Sequence, residues 1–136
     1  MGQVSFHSSE IPLKATKSRV FAFLADLDNM EQLMPKQIIN WKSDKKSCSF
    51  DIVGMTHIDL FLGQIVPDQA VTIDSGPENP IATQIRYELK EDAQNDSSCE
   101  ITLIAELSMM QEMLASGPLQ NLVNIMADKL KDLFGS

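Results

Sequence analysis

The sequence predicts an α+β fold in which about seven antiparallel strands pack around one long C-terminal helix, with two short helices after the first strand. Three observations predict it. The apolar residues recur with a helical period in residues 16–35, change to a period of two from Gln37 onward, and return to the helical period near Gly117. The strand region shows one apolar and one polar face, as half-buried antiparallel strands do. The closing stripe is too apolar to stand alone and needs a sheet to cover it.

Taken in order, residues 3–13 hold Val4, Phe6, Ile11 and Leu13 among polar partners and form a first strand. Thr16 caps a helix whose stripe is Val20, Phe23, Leu24 and Leu27. Asp28, with Glu31 three residues on, caps a second short helix with Met30, Leu33 and Met34 on its apolar face, and Pro35 ends it.

Ile39 and Trp41, then Cys48, Phe50 and Ile52, then Val71 and Ile73 alternate with polar residues as short strands. Turns are expected at residues 43–47, at Gly54, at Pro67-Asp68-Gln69 and at residues 76–80, which contain a glycine and two prolines. Two longer strands follow. Ile81, Thr83, Ile85, Tyr87 and Leu89 share one face, and Cys99, Ile101, Leu103, Ala105 and Leu107 share the matching face of the next. Their reverse sides carry Gln84, Arg86, Glu88 and Lys90 opposite Glu100, Thr102 and Glu106, so that side meets water.

For the last helix, Ser116 or Gly117 stands at the cap position and Pro118 at the first helical position. Leu119, Leu122, Val123, Met126, Leu130 and Leu133 form its stripe. Just ahead, Ser108 and Gln111 have capping-box spacing, and Met109, Met110, Met113 and Leu114 form a short apolar turn expected near a cavity mouth.

Length and composition bound the function classes. A chain of 136 residues is expected to fold as a single domain over residues 1–136. A net charge of −8, with no basic cluster beyond Lys45-Lys46, disfavours nucleic acid and standing attachment to an anionic membrane. The N-terminus lacks the basic start and apolar run of a signal peptide, which predicts a cytoplasmic protein. Gly2 does not complete a myristoylation motif, because Phe6 stands where Ser or Thr is required. Cys48 and Cys99 lack metal or redox spacing and are expected as buried free thiols, and the sequon at Asn95 matters only in a secreted chain. No metal or cofactor is expected.

The segment SRVFAFLADLDNMEQLMP at residues 18–35 resembles the pattern VFxFLxDxxNxxxLMP of the START-like superfamily, also called SRPBCC. That superfamily includes polyketide-cyclase-like and birch-pollen-allergen-like proteins. Residues 119–123 and 127–130 are similar to the closing helix of its small bacterial members. The resemblance covers nearly the whole chain and implies a helix-grip fold, a curved sheet wrapped around the last helix, often with a hydrophobic pocket between. It further implies binding of lipids, quinones or polyketide-like molecules, with cyclases and chaperone activators among the relatives. It supplies no catalytic residue.

The function expected is therefore binding of a small apolar or amphipathic molecule without catalysis. Phe50, Ile52, Tyr87, Leu103, Met113, Leu122, Val123 and Met126 are the expected pocket lining. A cyclase or dehydratase is the enzyme alternative, with His57, Asp59 or Tyr87 moving protons. It depends on register: an inward row of Ile58, Leu60 and Leu62 puts His57 and Asp59 in solvent, whereas an inward row of Met55, His57, Asp59 and Phe61 makes them polar pocket residues. The third alternative is an interaction module of chaperone-activator type, with a filled core and an exposed apolar patch.

Overall fold

The computed structural model describes residues 2–52, 57–79 and 81–135. The chain runs β1 (Gly2–His7), β2 (Ile11–Leu13), α1 (Lys17–Leu24), a 3₁₀ helix (Leu27–Leu33), β3 (Ile38–Ser43), β4 (Ser47–Ile52), β5 (His57–Val66), β6 (Ala70–Ser75), β7 (Thr83–Lys90), β8 (Ser97–Leu107) and α2 (Met109–Phe134). The strands form one antiparallel sheet in the order β1-β8-β7-β6-β5-β4-β3, and β2 also pairs with β8. The expected turn at Gly54 lies outside the described residues, whereas the turn expected over residues 76–80 is described through Asn79, whose amide donates to the Gly76 carbonyl at 3.1 Å.

The sheet has eight strands where about seven were expected, because the first strand is broken. Phe6 pairs with Leu103 and His7 with Thr102, but Ile11 pairs with Cys99. Four residues on one side thus span three on the other, and this extra residue is a bulge. It was visible as parity: Val4 and Phe6 face inward from even positions, Ile11 and Leu13 from odd ones. At the break, the Ser8 hydroxyl accepts from the Ile101 amide at 2.9 Å and the Ser8 amide donates to the Ile101 carbonyl at 2.8 Å.

Two more irregularities bend the sheet, between Ile39 and Lys42 on β3 and between Leu62 and Ile65 on β5. In the first, Asn40 takes a φ of 56°, a left-handed conformation that asparagine tolerates. In the second, a Cβ on Gly63 would come within 2.7 Å of the Thr72 hydroxyl, so only glycine fits. Bulges strengthen strand bending and twist, which curls this sheet around α2.

Thr16 caps α1 as expected, its hydroxyl accepting from the Arg19 amide at 3.2 Å. The following element is a 3₁₀ helix capped by Asp26, not Asp28, with Leu27, Met30 and Leu33 buried. The largest departure concerns α2. It starts at Met109, the capping box of Ser108 and Gln111 closes it, and Pro118 lies inside the helix. Ser116 and Gly117 are therefore not caps. A proline interrupts a helix only by removing one backbone bond and crowding the preceding turn, and a long helix anchored at both ends tolerates that.

The core lies between the sheet and the C-terminal half of α2, where Val123, Met126 and Leu130 are fully buried. Each such side chain contributes about 1.5 to 3 kcal/mol. Leu133, expected in this stripe, is 42% exposed, and Phe134 takes the inward place. Its ring meets Phe23 edge-on at 5.2 Å and lies under the Arg19 guanidinium. Among the described residues, no helix is long and apolar enough to cross a membrane.

Candidate ligand-binding pocket

Strand alternation brings Cys48, Phe50 and Ile52 of β4 to the same side as Ile58, Leu60 and Leu62 of β5. Phe50 pairs with Ile58 and Cys48 with Leu60. This is the concave side, and it faces α2. A cavity of about 100 Å³ remains between them. Phe50, Ile52, Ile58 and Leu60 form its sheet wall, with Ile85 and Leu103 continuing it across β7 and β8. Leu119 and Leu122 of α2 close the opposite side, and Met30, Met34 and Ile38 close one end. Thr83 is the one polar side chain in the wall, and its hydroxyl donates to the Ile81 carbonyl at 3.2 Å. Nothing else in that wall offers a hydrogen bond from a side chain.

Four of the eight residues expected to line a pocket do so: Phe50, Ile52, Leu103 and Leu122. Val123 and Met126 are packed solid, with no exposed surface and no place in the cavity wall. Met113 is 85% exposed on the outer side of α2, the reverse of its expected position. Its helix face points outward because the helix begins two turns earlier than the cap residues indicated. Tyr87 is buried in the core beside this cavity, not in its wall. Its hydroxyl has no hydrogen-bond partner among the described residues, and burial pushes its pKa well above the ordinary tyrosine value. Periodicity did not point to Met30, Met34, Ile38, Leu60 or Ile85 as cavity walls, since it identifies an inward side chain but not which inward side chains border a void.

On the neighbouring strand β3, Trp41 stacks on Phe50 with ring centroids 5.4 Å apart and planes 7° from parallel. Its indole Nε1 is buried and unpartnered among the described residues. The thiols of Cys48 and Cys99 are free and buried, and burial pushes each up to about 12.

His57 and Asp59 lie on the solvent side of β5, which decides the register in favour of the inward row Ile58, Leu60 and Leu62. The position of Met55 lies outside the described residues. The His57 ring is clasped between two carboxylates, with Nδ1 2.6 Å from Asp51 and Nε2 3.1 Å from Asp59. Both acceptors are anionic, so the arrangement is satisfied when both ring nitrogens carry protons. The Asp51 hydrogen bond first, and the Asp59 bond second, raise the histidine pKa above 6.5. Asn40 donates to the other oxygen of Asp51 at 2.8 Å, and this bond leads the causes that lower the Asp51 pKa. The cluster ties β3, β4 and β5 together on the face away from the cavity.

Larger hollows of about 300 to 450 Å³ lie on the outer surface. They are open and lined by polar side chains such as Asp74, Gln84, Arg86 and Glu88. The small cavity is the better candidate, because an apolar wall between the sheet and a helix marks a ligand pocket more than volume does.

No protein-family model matches the chain. No curated protein matches it either. Solved structures do match along nearly the full length. A START superfamily protein from Mycobacterium smegmatis is 14% identical with a TM-score of 0.66, covering 96% of this chain and 98% of that one. The Aha1 dimer from Colwellia psychrerythraea is 15% identical with a TM-score of 0.66, covering 95% and 94%. Protein SA2116 from Staphylococcus aureus is 14% identical with a TM-score of 0.67, covering 96% and 93%. The chain has the START-like fold. Likeness at this identity establishes architecture and leaves activity to the site.

Proposed function

We propose that the chain acts as one START-like domain that binds a small apolar or amphipathic molecule between the concave sheet and α2, without catalysis. The observation that carries this reading is the wall itself. It is apolar on every side, and its one hydroxyl, on Thr83, is already spent on the backbone. Of the three groups the enzyme alternative would use, His57 and Asp59 stand on the other face of the sheet, and Tyr87 faces inward but lies outside the cavity wall. A net charge of −8 fits an uncharged guest held inside and not a nucleic acid held outside.

Size limits the guest. A cavity of about 100 Å³ has the volume of roughly three waters, well under the ~300 Å³ of pockets that enclose a drug-sized molecule. One ring or the end of an acyl chain fits first, as a lipid, a quinone or a polyketide-like compound would present. Met30 and Met34 form the adaptable end of the wall, since unbranched methionine side chains repack at low cost.

The test is mass spectrometry of the organic extract from natively purified protein, with binding of N-phenyl-1-naphthylamine followed by fluorescence. A copurifying apolar molecule, or saturable probe binding abolished by Leu122→Trp in a folded variant, supports the reading. An empty extract together with no saturable probe binding overturns it.

A further inference from the structure

Helix α2 carries two apolar stripes. From Leu119 onward, Leu122, Val123, Met126 and Leu130 face the sheet. Ahead of Ser116, the large apolar residues are Met109, Met110, Met113 and Leu114, exposed by 86%, 72%, 85% and 75%. At about 100° per residue the two stripes stand roughly 150° apart around the helix axis. Ala115 takes the inward position in the first half, packed against the core. The core of this chain therefore has no means of covering the outer stripe.

Gly117 falls on that outer stripe, four residues after Met113. A Cβ there would meet nothing within 4 Å, so no neighbour in this chain calls for the glycine. Glycine disfavours a helix interior, and a bare backbone amid exposed apolar side chains suits the close approach of another helix. The surrounding charge is unusual too. From Leu107 to Ala127 only Glu112 is charged, in a chain with 22% charged residues and a net charge of −8.

These features select among occupants. A basic partner would be met by carboxylates, and the stripe has none. An anionic lipid surface would be repelled by the net charge. A second copy of the chain brings an equally neutral stripe, so the contact avoids the like-charge cost that the rest of the surface would impose. Four side chains exposed to this degree make a patch on the order of 500 Å², at the upper end of what monomers leave bare. A twofold contact hiding it on both copies removes on the order of 1,000 Å², the size at which interfaces become specific. We infer that the outer stripe of α2 is the contact face of a homodimer, with two helices crossing near Gly117 about a twofold axis.

Sedimentation equilibrium of the full chain across the micromolar range tests this, with thermal melts as the fold control. The wild type sediments as a dimer. Met113→Glu, which places a carboxylate in the contact, and Gly117→Leu, which blocks the close approach, each raise the dimer dissociation constant at least about tenfold. Both positions are exposed, so each variant still melts cooperatively at a concentration low enough for all forms to be monomeric. A monomeric wild type, or a dimer that both substitutions leave intact, overturns the inference. Flotation of a monomeric wild type with phosphatidylcholine vesicles also overturns it, and assigns the stripe to a lipid surface.

Discussion

Trp41 lies flat against Phe50, and Phe50 is at once part of the hydrophobic core and part of the cavity wall. The one tryptophan of the chain is thereby a reporter one ring removed from any guest. Saturable binding of an apolar molecule is expected to change its emission, measured by fluorescence titration. Phe50→Ala removes the stacking partner, costs about 3 to 5 kcal/mol in denaturant unfolding, and shifts the emission to the red. Unchanged emission in that folded variant would mean that the stack does not set the indole's surroundings.

The clasp on His57 gives a pH signature. The folded pKa is raised, so the stability it contributes is fully present below the unfolded value of 6.5 and is lost as pH rises through the higher folded value. Asp51 has a lowered folded pKa, so its share is present above 3.8 and is lost as pH falls through the lower folded value. The melting-temperature difference between wild type and His57→Asn should be largest in the window between those two ordinary values and shrink as pH climbs above it. A difference that grows with alkalinity would contradict the doubly protonated ring.

Tyr87 offers a substitution with an unusual sign. Its hydroxyl is buried without a partner among the described residues, and such a group costs about 1 to 3 kcal/mol of desolvation. Tyr87→Phe is expected to leave stability unchanged or raise it by about 1 kcal/mol, read from the urea midpoint. A clear loss would reveal a hydrogen-bond partner for that hydroxyl.

The thiols predict silence. With both pushed up to about 12 and buried, neither Cys48 nor Cys99 forms the reactive thiolate at neutral pH. A thiol-specific reagent should modify neither in the native protein and both after denaturation. Fast native labelling would show that the sheet opens around them.

Much of the architecture was legible because it depends on period and parity. The inward row Ile85-Tyr87-Leu89 follows from alternation, whereas the row Ile58-Leu60-Leu62 was one of two open registers until the pairing with β4 decided it, and residues 3–13 read as one strand although the shift from even to odd apolar positions marks the break near Ser8. The cavity was half legible. Phe50 and Leu122 are inward by pattern, but so is Val123, and only packing in three dimensions decides that Leu122 borders space while Val123 does not. The start of α2 was misplaced because Gly117-Pro118 carries strong local boundary chemistry. The Ser108–Gln111 capping box outweighs it, and the core below anchors the helix past the proline. That same misplacement hid the outward aim of Met113.

The pairing of β1 and β2 with β8 joins Gly2 to Leu107 and Leu13 to Ser97, and the Lys14 amide reaches the Phe134 carbonyl at 2.6 Å. Within this fold β1 and β2 therefore wait for β8. A nascent chain halted before residue 97 has no native neighbour for either of them, and its apolar row of Ile11 and Leu13 stays open to the wrong partners. Closure over such sequence distances is slow, so commitment to the native register waits until β8 and α2 are available, however early β1 and β2 were made.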